Sequence, residues 1–332
     1  MINTFPKQQK GLSLIELLVA LVLGLLITAA VLQIFLASKQ TYSTNNALSR
    51  VQESGRFAID FLTNDIRNAG YHGECISELN NLLNESGTGY NSDLFDFTKI
   101  VDGRTDSAPS WVASRVAGDV IHVKYASNLS GVTASGNTPA NANTINLTAE
   151  SGIAQGTIII VSDLSGCDMF QNRSNASAHS LSRGSTGSPG NKNPGSNSFS
   201  HAYDSSMEIL KLKSVSYYIG DNAAGNLRSL RRITFTSGAP VDEELIEGVQ
   251  DMQILYGVAD GNKQVSSYVT ASSVANWDNV VSVRVSLLLV SPDINVVSEN
   301  QTIDFNGSSV TIDDRRLAQV FSTTIGIRNR LP

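Results

Sequence analysis

Apolar residues run almost without interruption from position 12 to position 37, close to the N-terminus. The run is 26 residues long, and its only ionisable side chain is that of Glu16. A helix needs about 20 apolar residues to cross a bilayer, whereas the apolar centre of a secretory signal has roughly 7 to 15. The pattern therefore predicts a transmembrane helix at 12–37 that stays in the mature protein.

A cleavable secretory signal is the alternative interpretation of this run. Its best cleavage site would be Leu36-Ala37-Ser38, which places Leu where a small side chain is required. Lys7 and Lys10 precede the run, so the positive-inside tendency keeps the short N-terminus in the cytoplasm. The residues after position 37 are then expected outside the inner membrane.

Helical spacing continues beyond the membrane segment. Between positions 45 and 69, apolar or small residues recur every three or four positions, and charged residues fall between them. The recurring positions are Leu48, Val51, Gly55, Ile59, Leu62, Ile66 and Ala69. We predict an amphipathic continuation of the same helix over 38–70, with Gly70 at its end.

The period of the apolar pattern then changes to 2, which is typical of strands. A turn-rich link at 220–226 predicts a hairpin, with Arg228, Arg231 and Arg232 on its exposed face. The expected fold class is α+β, with the long helix packed on a mostly antiparallel sheet in an exported domain at 71–332. The predicted strands are 120–125, 157–161, 207–219, 227–235, 249–258, 280–290 and 320–327.

Two stretches of the exported part, 127–144 and 173–200, contain few large apolar side chains. The second includes the run SRGSTGSPGNKNPGSNS, which is rich in turn-forming residues. We predict that both are surface loops of one domain and not linkers between domains.

Composition and cysteine content bear on the size of the core, on the partner and on a possible disulfide. The chain has 332 residues, 41% of them hydrophobic, which is enough for a real core. Its formal charge of -6 leaves no cationic excess to neutralise phosphates, which disfavours nucleic acid as a partner. Cys75 and Cys167, both outside the cytoplasm, are expected to form a disulfide that closes a loop of roughly 90 residues; two separate buried thiols are the alternative.

Motifs for catalysis or metal binding are missing from the sequence. The four histidines, His72, His122, His179 and His201, have no metal-ligand spacing with one another or with the cysteines. Asp102-Gly103 with Asp106, and Asp260-Gly261-Asn262, are interpreted as turns and not calcium loops. Gly184–Gly187 lacks the lysine of a phosphate loop, and no nucleophile elbow is present. The pairs Arg231-Arg232 and Arg315-Arg316 are interpreted as solvated strand ends, with a small basic patch as the alternative.

Glu16 is the unusual residue of the membrane segment, because an unpaired carboxylate there costs roughly 2 to 3 kcal/mol. The surrounding sequence, Lys10-Gly11-Leu12-Ser13-Leu14-Ile15-Glu16-Leu17, resembles the class III prepilin signal. The resemblance implies cleavage after Gly11, N-methylation of Leu12, and a role of Glu16 in aligning each subunit with its neighbour. Leu12 departs from the family pattern, in which Phe is usual.

Later segments resemble the PilW-like minor pilins, and this resemblance extends over nearly the whole chain. It implies a minor pilin that primes or caps a type IV pilus and supports twitching motility, adhesion and DNA uptake, without an enzyme activity or a cofactor. The implied partners are other minor pilins, the major pilin, the prepilin peptidase and methyltransferase, and the inner-membrane assembly platform. The implied location is the inner membrane before assembly and the pilus afterwards. The segments are 118–121, 245–249, 255–257, 283–288, 314–317 and 320–324.

Other functions are alternatives at this point. A J-type minor pseudopilin of a type II secretion system shares the signal, the helix and a large β-rich domain. A K-type tip pseudopilin fits less well, because that group typically lacks the glutamate found here as Glu16. An adhesin could use 173–200 as its contact surface, whereas a membrane-anchored enzyme has no substrate suggested by the sequence.

Overall fold

A single long helix, α1 (Leu14–Arg67), dominates the computed structural model, which describes residues 11, 13–129, 131–235, 240–262 and 264–330. Its 54 residues correspond to a length of about 80 Å at 1.5 Å per residue. Its first buried side chain is that of Ala47, so the N-terminal half extends away from the rest of the protein. Among the described residues, α1 is the one helix long and apolar enough to cross a membrane.

Two main sheets make up the body of the protein, and two small hairpin-like pairs and short helices complete it. The eight-stranded sheet contains β1 (Asn80–Asn81), β2 (Val101–Arg104), β3 (Ala117–Asn128), β5 (Ile158–Ser162), β6 (Cys167–Gln171), β8 (Glu208–Asp221), β9 (Arg228–Phe235) and β10 (Val241–Glu247). The four-stranded sheet contains β11 (Val249–Ala259), β12 (Val265–Val269), β13 (Val280–Val290) and β16 (Ala318–Gly326). The small pairs are β4 (Thr144–Asn146) with β7 (Ser180–Ser182), and β14 (Gln301–Phe305) with β15 (Ser308–Ile312). The short helices are α2 (Ser92–Phe95) and the 3-10 turns Ala271–Ser273, Trp277–Asn279 and Arg328–Arg330.

Strand β8 is the centre of the larger sheet. Its first residues pair with β5, its last residues pair with β9, and β3 lies along its other side. Among the described strands, pairing is antiparallel except between β1 and β6. The chain crosses to the second sheet between β10 and β11 at Gly248, whose φ of 88° lies in the region that favours glycine.

The main core lies between the sheets and the C-terminal half of α1. Val51, Ala58 and Leu62 of the helix pack with side chains of both sheets, including Tyr217 of β8 and Leu287 of β13. These helix positions recur every three or four residues, as amphipathic packing requires. The predicted α+β fold, a long apolar helix packed on mostly antiparallel sheets, is confirmed.

The helix ends slightly before the predicted position. Its last residue is Arg67, and Asn68 forms the C-cap. Gly70 follows with φ 81°, and its N–H donates to the carbonyl of Lys124 in β3 at 2.8 Å. Gly70 therefore turns the chain away from the helix axis and joins it to the sheet.

The two predicted loops belong to a small lobe, residues 131–207, that has a core of its own. Ile145, Phe170, Leu181 and Phe199 are buried together in this core. The segments 127–144 and 173–200 are largely irregular, but backbone bonds between Thr138 and Tyr203 and the β4–β7 pair hold them in place. Several of their side chains are therefore packed inside the protein and do not project as free loops.

The prediction for the arginines of the β8–β9 hairpin was wrong. Strand β10, which the sequence pattern did not predict, pairs with β9 and supplies acidic partners. Arg231 lies 3.2 Å from Asp242, and Arg232 lies 2.6 Å from Glu243. Both arginines are largely covered, so they form neither solvated strand ends nor an exposed basic patch.

Candidate functional site

The residues of the prepilin-like signal lie at the exposed start of α1. Gly11 is exposed, Ser13 is the N-cap, and Leu12 lies outside the described residues. Glu16 occupies the third helical position, where the Glu16 carboxylate accepts hydrogen bonds from the Ser13 N–H at 2.9 Å and the Ser13 hydroxyl at 3.0 Å. The Ser13 hydroxyl in turn accepts from the Glu16 N–H at 3.3 Å, which completes a capping box.

The Oε1 atom of the Glu16 carboxylate can still accept a hydrogen bond. Both hydrogen bonds from Ser13 end on Oε2, and within the described part of the chain no group donates to Oε1. No described lysine or arginine forms an ion pair with this carboxylate. The capping box therefore orients the side chain but does not neutralise its charge.

The membrane half of α1, residues 14–37, is not packed against any other part of the subunit that the structure describes. Its large apolar side chains are all more than half exposed, which requires lipid or neighbouring helices around them. The exposed residues are Leu14, Ile15, Leu17, Leu18, Val19, Leu21, Val22, Leu23, Leu25, Leu26, Ile27, Val31, Leu32, Ile34, Phe35 and Leu36.

A loop of the β domain holds α1 just after this half. The Gln40 amide and the Thr44 hydroxyl both donate to the Val296 carbonyl, at 2.5 and 2.9 Å. Arg50 lies 3.6 Å from Asp293 in the same loop. Val296 itself is fully buried, so the contact is anchored in the domain and fixes the direction in which the helix leaves it.

A buried polar cluster fixes the other end of the helix. Asp65 is 3% exposed and accepts hydrogen bonds from Tyr125 at 2.7 Å and Tyr217 at 2.6 Å. Burial beside this carboxylate raises the pKa of both tyrosines above its usual value, so both remain protonated donors. Arg232 lies 3.8 Å from Asp65 and supplies the compensating positive charge.

The two cysteines are joined. Cys75, which follows the helix, forms a disulfide with Cys167 at the start of β6, with a Cα–Cα distance of 5.8 Å. The bond links the connection after α1 to the lobe side of the larger sheet. His72 lies close by, and a ring nitrogen of His72 and the two sulfurs are within 4.8 Å of one another. Sequence spacing did not predict this proximity, but disulfide sulfurs are not the thiolates that bind a metal ion.

The remaining predicted candidates are structural. Burial holds the pKa of His122 well below its usual value, and its ring lies between the Ser214 and Ser216 hydroxyls at 3.0 and 2.7 Å. His201 contacts Asp163 at 2.9 Å, and the side chain of Asp260 caps its own turn. Arg316 donates to the carbonyls of Ser291 and Pro292, while Arg315 contacts Asn295. These contacts hold loops in place and do not assemble a catalytic group.

A membrane-length helix whose second half packs on antiparallel sheets defines a membrane-anchored protein of pilin-like architecture. Residues 216–329 match the family described as Type IV Pilus-assembly protein W, and residues 6–32 match the prokaryotic N-terminal methylation motif. The chain thus combines a PilW-type region, as found in the type IV pilus assembly proteins of that structural and not enzymatic family, with an N-terminal prepilin methylation motif. Comparison with curated proteins and with solved structures gave no match.

The first match covers the part of the protein that holds the helix. It begins within β8 and ends after β16, so it includes Tyr217, Arg232 and the four-stranded sheet. The second match covers the signal and most of the membrane half of α1. The lobe lies outside both matches, although the disulfide and the β5–β8 pairing join it to the larger sheet.

Proposed function

We propose that this protein is a minor pilin that primes or caps a type IV pilus. Its leader, residues 1–11, would be removed after Gly11, and Leu12 would become the methylated N-terminus. Residues 12–37 would then lie in the membrane and later in the filament core, 38–70 would continue the helix, and 71–332 would form the exported domain. Through its place in the pilus, the protein would support twitching motility, adhesion and DNA uptake.

The observation that carries this proposal is the state of Glu16. Its carboxylate is oriented by Ser13 but has no cationic partner among the described residues, and Oε1 has no donor there. A new ammonium group on Leu12 of a neighbouring subunit would supply both a positive charge and a donor. In a low-dielectric surrounding, an unpaired charge is costly and a well-formed ion pair removes much of that cost.

The assembly step follows from this pairing together with the apolar surface of α1. A subunit leaves the lipid when its exposed leucine, isoleucine and valine side chains pack against neighbouring helices. The Glu16 pair then fixes the axial register between subunits. The proposed partners are other minor pilins and the major pilin, together with the prepilin peptidase and the assembly platform that act before and during assembly.

Processing can be tested on the protein extracted from membranes. The intact mass is expected to lack residues 1–11 and to include one added methyl group at Leu12. In cells without the prepilin peptidase, the full precursor mass is expected. A mature chain that begins near Ser38 would instead indicate a secretory signal, and it would refute the retained membrane helix.

Priming can be separated from other roles by counting pili and measuring their length. Glu16→Ala is expected to reduce the number of pili per cell, while the few pili that form keep normal length. Glu53→Ala serves as the matched control, because Glu53 is an exposed acid on the same helix outside the membrane half. Equal pilus numbers in both variants would contradict the proposed role of Glu16.

A further inference from the structure

Strand β16 forms an open edge of the four-stranded sheet. It pairs with β13 over nine consecutive residues without a register shift, and among the described strands none pairs with its other side. Its sequence, AQVFSTTIG, contains no charged residue and no proline. Edge strands are ordinarily protected from further pairing by charges, prolines, bulges or shortness, so β16 lacks the usual protection.

The other long edge strand of the protein shows that protection. Among the described strands, β10 pairs with β9 alone, and four of its seven residues are acidic. The acids are Asp242, Glu243, Glu244 and Glu247. The uncharged edge of β16 therefore differs from the acidic edge of β10, and at nine residues it is longer than the uncharged five-residue edge strand β12.

Bonds at both ends of β16 show which residues face β13. The carbonyl of Leu317 accepts from the Ser291 N–H at 2.7 Å, and the N–H of Ile327 donates to the Val281 carbonyl at 2.9 Å. The hydrogen-bonding direction alternates along an antiparallel strand that has no bulge. The backbone N–H and C=O groups of the odd-numbered residues between these ends therefore form hydrogen bonds with β13.

The backbone N–H and C=O groups of the even-numbered residues point toward the open edge. The N–H of Ala318 confirms this direction, since it donates to the Gln301 side chain at 2.7 Å and not to β13. By the same alternation, the N–H and C=O groups of Val320, Ser322 and Thr324 point outward. Among the described residues, none of their N–H groups donates to a loop or a side chain, and the side chains of Ser322 and Thr324 are exposed.

The direction of β16 excludes antiparallel pairing of this edge with a second copy in the same membrane. The Phe321 ring packs at Gly55, whereas Gly326 lies beside Thr63 and Arg67, so the strand runs along α1 away from the membrane. Antiparallel pairing of two β16 edges would point the two membrane helices in opposite directions. A segment from a different subunit has no such restriction.

The C-terminal end of β16 lies beside positively charged side chains. A cleft of about 440 Å³ lies beside Thr324 and Gly326; its lining includes Arg67 and Arg328 and, within the described ranges, no Asp or Glu side chain. Neither arginine forms an ion pair among the described residues. An acidic residue is therefore the complementary group for this end of the strand.

We propose that the open edge of β16 binds an extended segment of another pilus subunit by strand addition, with an acidic residue of that segment in the Arg67–Arg328 cleft. Main-chain hydrogen bonds to the outward groups would supply the affinity, and the cleft would set the register. This inference deepens the proposed function, because it assigns a surface to the contact between this protein and a neighbouring subunit.

Photo-crosslinking in piliated cells tests the contact directly. p-Benzoylphenylalanine at Thr324 is expected to give an adduct to an extended acid-containing segment of a different pilus subunit, identified by peptide mass spectrometry. The same residue at Ser267, which is exposed on the opposite edge strand β12, is expected to give no such adduct. No adduct from Thr324, an adduct between two copies of this chain, or an adduct to a helical segment would overturn the proposal.

Two pairs of variants test the backbone and the charge separately. Ser322→Lys is expected to lower pilus number several-fold, whereas Ser267→Lys on the other edge is expected to have no effect. Arg67→Glu is expected to reduce the Thr324 adduct several-fold relative to Arg56→Glu, since Arg56 is exposed on the same helix. Protease resistance of each purified variant checks that it is folded.

The outcomes separate this inference from the proposed function. If Glu16→Ala lowers pilus number but Thr324 gives no adduct and Ser322→Lys has no effect, the minor-pilin role stands and strand addition is refuted. If Glu16→Ala leaves pili unchanged, the proposed function itself fails, whatever the crosslinking shows.

Discussion

The Asp65 carboxylate of α1 accepts a 2.6 Å hydrogen bond from the Tyr217 hydroxyl of β8, across 152 positions of sequence. Tyr125 of β3 donates to the other oxygen of the same carboxylate. One acidic side chain on the buried face of the helix thus joins it to the two central strands of the larger sheet. Arg232 of β9 lies near enough to balance the charge.

Removal of this carboxylate should weaken the attachment of the helix. Asp65→Ala leaves two buried hydroxyls without an acceptor and a partly buried arginine without its partner. We expect a loss of roughly 3 kcal/mol in the free energy of unfolding, the range for breaking buried charged networks. Denaturant unfolding of the full chain in detergent, followed by tryptophan fluorescence, measures the change. Asp60→Ala, an exposed acid on the same helix, should change stability by less than about 0.5 kcal/mol.

The disulfide should contribute to stability through the unfolded state. It joins residues 92 positions apart, for which the chain-entropy model gives about 4 to 5 kcal/mol as an upper value. The double variant Cys75→Ser and Cys167→Ser should therefore unfold at much lower denaturant concentration than the oxidised protein. Addition of a reductant should lower the stability of the wild type and leave the variant unchanged. A wild type that is insensitive to reductant under unfolding conditions would be evidence against this contribution.

Gly55 provides space for a side chain of β16. A Cβ atom at this position would collide with the Phe321 ring. We expect Gly55→Ala to destabilise the protein by about 1 to 3 kcal/mol, although alanine favours the helix itself. In a double-mutant cycle with Phe321→Leu, the alanine should cost much less, because the smaller side chain leaves room. Additive effects of the two changes would show that they do not interact.

Acid should destabilise the fold through His122. Burial, together with the charges of Lys124 and Arg104, holds the pKa of this histidine well below its usual value. Between the unfolded pKa of about 6.5 and the lower folded pKa, the unfolded state binds one more proton. Stability therefore falls as the pH falls through this range, by up to about 1.4 kcal/mol per pH unit from this group.

The variant His122→Gln isolates that effect. It should have a smaller loss of stability than the wild type between pH 6.5 and pH 5, measured by denaturant unfolding at each pH. His179→Gln provides the comparison, because His179 is exposed in the lobe. Equal pH slopes in the His122 variant and the wild type would rule out His122 as the source.

Periodicity was enough to predict α1 and the long strands, because their apolar faces are set by local spacing. It missed β10, whose sequence VDEELIE has no clear apolar alternation and is stabilised by ion pairs with β9. It also missed the short strands of the lobe, which depend on contacts between distant segments such as β4 and β7. Their stability comes from tertiary packing, which local patterns do not record.

In the candidate site, too, some residues could be predicted from local sequence, whereas others depend on tertiary contacts. Gly11, Leu12 and Glu16 lie within one short continuous motif. Their roles in cleavage, methylation and subunit alignment could therefore be suggested from the sequence, and they stay predictions. The sequence pattern did not single out Asp65, because a charged residue between apolar positions is ordinarily on the solvated face of a helix. Only the approach of Tyr125 and Tyr217 from two strands explains its burial.

The proposed role of this protein in pilus assembly is tested most directly by deleting its gene and scoring surface pili and protein secretion side by side. Complementation with the wild type and with Glu16→Ala should be included in the same comparison. We predict that pili are lost with normal secretion, that the wild type restores them, and that Glu16→Ala restores only a few. Lost secretion with normal pili would contradict the account and indicate a pseudopilin of a type II secretion system.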